Sequence, residues 1–302
     1  MKKNEAKLGI FYTVLAYVLW GFLPIYWKLV DHISADEILA HRILWSFIFM
    51  MGIVISLRKW TPFVQECRRI WNHKKQLFSI TLASVVISLN WLTYIWAVNS
   101  GYVVQASLGY YINPLISILL GMIVLQETLT KRQWISFIIA AAGVFYLTFH
   151  FGIFPWVSVL LALSFGAYGL LKKTVDISAM FGLTIETMIV TPVAVIYLLT
   201  TPSSTISPSS FFTFDGLLLI GAGIATAVPL LLFASGVKHI PLAMLGFLQY
   251  IAPTIMLLLG VFHFKETFSF AHFISFGMIW IALLIYMGSA IQRSSFQRRT
   301  QP

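Results

Sequence analysis

Apolar stretches of membrane-spanning length follow one another along the whole chain, separated by short polar segments. An α-helix rises about 1.5 Å per residue, so about 20 apolar residues cross a hydrocarbon core of about 30 Å. The pattern predicts ten transmembrane helices, and the short loops make consecutive helices antiparallel. The predicted spans are 8–30, 35–57, 77–98, 102–125, 133–149, 155–172, 177–200, 214–236, 242–264 and 270–290. The predicted fold class is therefore an all-α, polytopic membrane protein.

One passage occurs twice without a gap, 139 residues apart. Residues 111–137 and 250–276 are identical at 12 of 27 positions, from Tyr-Ile-x-Pro through a matched glycine to Glu-Thr and Ile-Ser-Phe. The first helices of the two halves align at a shift of 145 residues, and the second helices begin in alignment at a shift of 144. The repeat predicts two copies of a five-helix unit, residues 1–150 and 151–302.

The number of spans in each unit predicts how the two copies lie in the membrane. Because the number is odd, the second copy enters the membrane from the opposite side. Two inverted bundles that rock against each other expose one central site alternately to each side, which is the structural basis of secondary transport. The alternative is that the duplication only builds a stable ten-helix bundle with another role.

Composition and charge agree with a membrane location. Hydrophobic residues make up 59% of the chain and charged residues 10%, and the mean hydropathy is +0.87. From a cytoplasmic N-terminus, 17 of the 20 Lys and Arg fall in cytoplasmic segments, whereas Lys28 and Lys265 fall outside and Arg42 lies within a span. This asymmetry obeys the positive-inside rule. The distribution of the +10 net charge therefore places both termini in the cytoplasm and favours contact with the lipid bilayer over contact with nucleic acid.

Three ionisable residues within the spans are candidates for coupling or gating, because charge inside a bilayer is costly. They are His41 and Arg42 in the second helix and Glu186 in the seventh. Arg42 aligns with Glu186, and each lies eight residues beyond the start of its helix, at Ser34 or Ser178. We hypothesise that Arg42 and Glu186 pair and rearrange with substrate or a proton; the alternatives are a permanent ion pair and an Arg42 that snorkels outward. His41 is a candidate proton relay or an interhelical hydrogen-bond partner.

Aromatic and amide side chains recur at helical spacing on the predicted helices. A cavity with aromatic walls and a few amides suits a small, partly apolar solute. For the amides, interhelical hydrogen bonding is an equally good interpretation. The substrate-cavity candidates are Trp20, Tyr26, Asn90, Trp91, Tyr94, Tyr110, Asn113 and Tyr250.

Matched residues of the repeated passage have predicted structural roles. Pro114 and Pro253 lie at equivalent points of helices four and nine, where each removes a backbone hydrogen bond and is expected to kink its helix. Glu127 and Glu266 lie at helix ends, so we expect them to be caps or loop partners and not substrate ligands.

Several stretches of the chain resemble one transporter family. Residues 41–46, 90–99 and 107–114, together with Trp20-Gly21-Phe22 and the passage 121–127, are similar to the RarD branch of the EamA transporters, in the drug/metabolite transporter superfamily. The resemblance covers nearly the whole chain. It implies two inverted five-helix repeats, a central cavity lined mainly by helices one to four and six to nine, and a plasma-membrane permease that exports small metabolites.

The sequence contains no motif of an enzyme active site. It has no Gly-x-x-x-x-Gly-Lys-Ser/Thr phosphate loop, no His-Glu-x-x-His metal motif and no Gly-x-Ser-x-Gly nucleophile turn. Cys67 is the single cysteine, which excludes an internal disulfide and a Cys-built metal site. We expect no catalytic residue, cofactor or metal, but a secondary transporter of small metabolites or drug-like solutes, with protons as the candidate coupling ion. An uncoupled facilitator and a non-transporting membrane sensor or assembly subunit remain the alternatives.

Overall fold

The computed structural model describes residues 3–99, 103–150, 152, 155–201, 212–263 and 269–299, and this part of the chain is all-α. Lys265 and Glu266 lie outside the described residues. Within them the helices are α1 (Lys3–Lys28), α2 (Ala35–Ser56), α3 (Trp60–Asn72), α4 (Lys74–Asn99), α5 (Val103–Val124), α6 (Lys131–His150), α7 (Trp156–Thr174), α8 (Ala179–Thr200), α9 (Phe214–Val237), α10 (Leu242–Gln249), α11 (Ile251–Phe262) and α12 (Phe270–Arg299).

Apolar spans account for all of these helices except α3. Nine segments of the described chain are long and apolar enough to cross a membrane, and α10 and α11 together form one of them, Leu242–Phe262. α5 adds a shorter apolar helix, Leu108–Val124. Each predicted span overlaps one of these helices or the α10–α11 pair. The prediction of an all-α, polytopic membrane fold is confirmed.

The helix α3 lies between the second and third predicted spans, where the apolar pattern predicts no helix. Phe63 and Ile70, seven residues apart and so on one face of a helix, are buried. The Phe63 ring packs against Phe181 of α8, with 5.7 Å between the ring centroids. A short helix with a narrow apolar face and a basic remainder does not show in overall composition. α3 is a surface helix that contacts α4 and α8 and does not span the membrane.

The contacts between helices of the two halves are matched. When each helix in a contact is replaced by its counterpart in the other half, the result is a contact that the structure also contains. α1 packs against α9 and α11, and its counterpart α7 packs against α4 and α5. α2 contacts α9 as α8 contacts α4, and counterparts also meet directly in the pairs α2–α8, α5–α10 and α6–α12. This pattern brings α2, α4, α7, α8 and α9 together at the centre of the described structure.

The two matched prolines have different effects on their helices. α10 ends at Gln249 and α11 begins at Ile251, since Pro253 has no N–H to donate to the carbonyl of Gln249. α5 is continuous through Pro114. There the helix makes a close approach instead, because a Cβ on Gly246 of α10 would lie 2.6 Å from the Pro114 carbonyl oxygen.

The carboxylate of Glu127 caps the N-terminus of α10. It accepts hydrogen bonds from the backbone N–H groups of Leu242 at 2.7 Å and Ala243 at 2.8 Å. A negative charge at the N-terminus of a helix also interacts favourably with the helix dipole. The predicted role of Glu127 as a cap is confirmed.

Small residues hold α9 closely against α2 and α1. A Cβ on Gly223 would overlap the backbone of Trp45, and the Ser46 hydroxyl donates to the Gly223 carbonyl at 3.0 Å. A Cβ on Gly236 would lie 3.0 Å from the carbonyl oxygen of Gly9 in α1. In a bilayer, where burial of apolar surface does not drive association, such close backbone packing stabilises helix pairs.

We expect Gly223→Leu to separate α2 from α9 and to destabilise the protein, because overpacking a tight contact typically costs about 1–3 kcal/mol. The measurement is thermal unfolding of the purified protein in detergent, followed by helical circular dichroism. Gly52→Leu is the matched control, since a Cβ at Gly52 meets nothing within 4 Å. Equal unfolding midpoints for the two variants would contradict the close α2–α9 contact.

Candidate functional site

A buried ion pair joins α7 to α8. Lys172 Nζ lies 2.8 Å from Glu186 Oε1, and these two side chains are only 6% and 5% exposed. The Tyr168 hydroxyl donates to Glu186 Oε2 at 3.1 Å, and Lys172 Nζ lies 5.7 Å from the Tyr168 ring centroid. We call Tyr168, Lys172 and Glu186 the Glu186 triad. Lys172 neutralises the Glu186 carboxylate, and Tyr168, one turn before Lys172 in α7, donates a second hydrogen bond to it.

Lys172 reaches Glu186 from the last turn of α7. Helical side chains point toward the N-terminus of their helix, and a lysine stem lies along apolar surface while its ammonium group reaches a polar partner. Two other lysines bind the backbone at this end: Lys173 donates to the Val237 carbonyl at 3.2 Å, and Lys238 to the Val175 carbonyl at 3.1 Å. Burial lowers the pKa of the Lys238 ammonium group. Lys173 and Lys238 therefore fasten the ends of α7 and α9 to each other, while Lys172 joins α7 to α8.

A cavity lies among α2, α4, α7, α8 and α9. Its wall consists of five aliphatic side chains, two aromatic rings, two serines, one threonine and the Glu186 carboxylate. We call it the central cavity. It is lined by Ile43, Ser46, Ile87, Ser88, Trp91, Tyr168, Leu183, Glu186, Thr187, Val190 and Leu230.

Glu186 also lines a second cavity. Lys172 and Lys238 lie in its wall, as do Val175 and Ile177 of the connection between α7 and α8. The Glu186 side chain and its partner Lys172 therefore stand between the central cavity and the end of the protein at which α7 ends and α8 begins.

Arg42 lies between two tryptophan rings. Its guanidinium carbon is 4.6 Å from the centroid of Trp27 in α1 and 5.1 Å from that of Trp91 in α4. Arg42 Nε donates to the Thr226 hydroxyl of α9 at 2.9 Å. We call Arg42, Trp27, Trp91 and Thr226 the Arg42 cluster. Aromatic faces attract a desolvated cation by up to about 2 kcal/mol or more, so this guanidinium is stabilised without a carboxylate.

The predicted pairing of Arg42 with Glu186 is therefore wrong for this structure, because each charge has another partner. The depth along a helix sets the height of a side chain but not the direction in which it points. Arg42 points to the tryptophans of α1 and α4, and Glu186 points to α7, where Lys172 meets it.

The two partner sets are nevertheless equivalent in the repeat. The shift of 145 residues that aligns the first helices of the halves places Trp27 on Lys172, and the shift of 144 places Arg42 on Glu186. The contact of Arg42 with Trp27 thus matches the contact of Glu186 with Lys172. In both halves, the end of the first helix binds the residue eight positions into the second helix, through a cation–π contact in one half and an ion pair in the other.

Three of the substrate-cavity candidates near α1 and α4 hold helices together. The amide of Asn90 donates to the Leu161 carbonyl at 2.9 Å and to the Ser164 hydroxyl at 2.8 Å, which is the interhelical role. Trp20 packs in an aromatic cluster, with 5.6 Å between its ring centroid and that of Phe233. The Tyr26 hydroxyl donates to the backbone carbonyl of Leu218 in α9.

The remaining candidates also pack against neighbouring side chains. The Tyr94 and Tyr110 rings meet edge to face, with 5.8 Å between centroids. Asn113 is buried within α5, and Tyr250 is buried in the packing of α5, α6 and α12. His41 is buried and its Nδ1 accepts a hydrogen bond from Trp45 Nε1 at 3.3 Å. Of the eight substrate-cavity candidates, Trp91 is the one that lines the central cavity.

Sequence reasoning missed Lys172 and Tyr168. Lys172 belongs to the cytoplasmic basic residues that orient the chain, and Tyr168 is a single phenol in an apolar helix, with nothing in the sequence to show which group it bonds. The signal that finds Lys172 is the repeat itself, since the 145-residue shift places a lysine where the first half has the intramembrane Trp27.

Comparison with known proteins places the chain in a family. The EamA-like transporter family matches residues 7–149 and 153–288. The chain is 47% identical over 298 residues to the uncharacterized transporter YojE of Bacillus subtilis, covering 97% of each, and 40% identical over 305 residues to protein RarD of Escherichia coli K12, covering 99% of each. A solved crystal structure shares the fold at 17% identity, with a TM-score of 0.71 over 97% of this chain and 99% of the other. This multi-pass membrane protein belongs to the EamA-like transporter family, as a RarD-type member of the drug/metabolite transporter superfamily.

Proposed function

We propose that this protein is a secondary transporter that carries a small solute through the central cavity by alternating access. The observation that carries the proposal is the Glu186 triad, a buried ion pair between the central cavity and the second cavity. Alternating access requires a barrier on the path of the solute that opens and closes reversibly. A buried ion pair fits this role because its Coulomb attraction is largely offset by the cost of desolvating both charges.

The proposal includes the orientation of the two halves. Residues 1–150 and 151–302 are inverted five-helix repeats in the plasma membrane, with both termini cytoplasmic. The Glu186 triad then lies toward the cytoplasmic face and the Arg42 cluster toward the external face, with the central cavity reaching Glu186 on one side and Trp91 on the other. The matched helix contacts between the two halves support this arrangement.

Protons are the coupling ion of the proposed transporter, and Glu186 is the residue that binds them. Protonation removes the charge that holds Lys172, while Tyr168 retains its hydroxyl and Lys238 remains in the wall of the second cavity. A neutral Glu186 therefore weakens the cytoplasmic barrier. Coupled to an inward proton gradient, the exchange exports the solute.

We expect Glu186→Gln to abolish coupling, because a glutamine can accept hydrogen bonds from Lys172 and Tyr168 but cannot bind a proton at neutral pH. A thermal-shift screen of amino acids, metabolites and antibiotics selects a solute. Proteoliposomes that contain a pH-sensitive dye then report solute flux and proton flux together. Glu5→Gln, on the exposed first turn of α1, is the control. Unchanged turnover and pH dependence in Glu186→Gln would favour an uncoupled facilitator, and no flux of any solute would favour a sensor or assembly subunit.

We expect the two partner sets to control access from opposite faces. In a Cys67→Ser background, which contains no cysteine, Ser88→Cys places a thiol in the wall of the central cavity. Adding Arg42→Met should increase its labelling by an impermeant maleimide applied outside, and adding Glu186→Gln should increase labelling from the cytoplasmic face. The assay compares right-side-out with inside-out vesicles. Increased labelling from the same face in both variants would contradict alternating access.

A further inference from the structure

The ammonium group of Lys172 occupies a site with the chemistry of an amine receptor. It lies 2.8 Å from a carboxylate oxygen of Glu186 and 5.7 Å from the centroid of the Tyr168 ring. A carboxylate beside an aromatic ring, both shielded from water, is an arrangement that binds organic cations in proteins. Lys172 therefore acts as a tethered ligand that fills the site from within the chain.

The central cavity offers hydrogen-bond acceptors to a ligand. The hydroxyl of Ser46 donates its proton to the Gly223 carbonyl, and that of Ser88 donates to the Ser84 carbonyl at 2.7 Å. The Thr187 hydroxyl is likewise committed to its own helix. Because a hydroxyl has one proton, each of these groups has only lone pairs left for a ligand. Together with Glu186, they favour a solute rich in donors.

The charges around the cavity also favour a cation. Of the described side chains that line it, Glu186 is the one acidic or basic group apart from the Tyr168 phenol. Arg42 is held by Trp27, Trp91 and Thr226, and so is not in the lining. An anion would meet the Glu186 carboxylate without a free cation to neutralise it, which is costly in a low-dielectric site.

The rest of the cavity wall suits an apolar body. Five aliphatic side chains lie in it, those of Ile43, Ile87, Leu183, Val190 and Leu230. We infer that the central cavity binds a small primary or secondary amine with an apolar body, whose ammonium group displaces Lys172 from Glu186. The inference rests on the proposed function, since it identifies the substrate class of the same cavity. Lys172 also lines the second cavity, which has room for its released ammonium group.

Competition between Lys172 and the amine has a measurable consequence. Suppose that a ligand binds only the protein in which Lys172 has left Glu186. Its apparent dissociation constant is then the intrinsic constant divided by the fraction of protein in that state. Lys172→Met removes the competitor and keeps an unbranched apolar stem. It should therefore bind amines more tightly than the wild type does, whereas the loss of a residue with only a structural role would weaken binding.

Three probes of similar shape test the charge requirement on the purified wild-type chain. They are 2-phenylethylamine, the neutral 2-phenylethanol and the anionic 3-phenylpropionate. We expect the amine to raise the thermal unfolding midpoint in a saturable manner, and the alcohol and the acid to have no saturable effect. Stabilisation by the alcohol or the acid equal to that by the amine would overturn the inference, and this comparison needs no variant.

The variants test the site. We expect Lys172→Met to lower the dissociation constant for 2-phenylethylamine by about tenfold or more, as for a competitor that occupies the site about nine-tenths of the time. Glu186→Gln should abolish binding, and Lys173→Met, which changes the neighbouring lysine that binds backbone carbonyls, should leave it unchanged. Weaker amine binding in Lys172→Met than in wild type would overturn the displacement. If Lys172→Met does not fold, Lys172→Gln, which also removes the competing charge, is used in its place. Unchanged amine binding in Glu186→Gln would overturn the assignment to Glu186.

Flux measurements separate a failure of this inference from a failure of the proposed function. Proteoliposomes loaded with labelled 2-phenylethylamine should release it when the external medium is made acidic. Flux of a neutral or anionic solute without amine binding would overturn the inference and leave secondary transport standing. Amine binding without flux of any solute would confirm the amine site but contradict transport.

Discussion

An ionised carboxylate inside a membrane protein must be neutralised, and the centre of this protein is built around the partners of Glu186. Removing such a group from water costs several kcal/mol, and Glu186 is only 5% exposed. Lys172 supplies the opposite charge and Tyr168 a hydrogen bond, from successive turns of α7. Because both contacts require the same face of α7 to meet α8, they set the rotation of these helices. They also determine which side chains face the central cavity.

The equivalent contacts in the two halves differ in how they respond to protons. Arg42 is protonated at any physiological pH, so its contact with Trp27 and Trp91 does not titrate. In the proposed function Glu186 is the residue that binds protons, so its ion pair with Lys172 is the contact that responds to them. On that proposal, the difference between Trp27 and Lys172 places proton sensitivity at one end of a nearly symmetric framework. A transporter that uses a proton gradient in one direction needs this asymmetry.

The sequence predicted the spans, the repeat and the residues that carry buried charge, because hydrophobic length and the cost of intramembrane charge can both be read from one chain. It did not predict the partner of Glu186, since the spacing from Ser178 gives a height and no direction. The sequence did not identify Lys172 as this partner, because a lysine at a helix end is also explained by the positive-inside rule. The sequence did not predict α3, because the helix has few apolar positions. It did not predict the packing of Asn90 and Tyr250 between helices, because only the assembled bundle defines those positions.

The weakness of a buried ion pair is what makes Lys172 suitable as an internal ligand. A pair whose attraction greatly exceeded its desolvation cost would never release Glu186, and a lysine without a partner would leave the carboxylate unpaired in the empty protein. When an amine replaces Lys172, the carboxylate exchanges one ammonium group for another, so the cost of the exchange falls on the released Lys172 and not on Glu186. Glu186 then stays neutralised throughout the exchange, so its burial, which organises α7 and α8, does not prevent the site from opening.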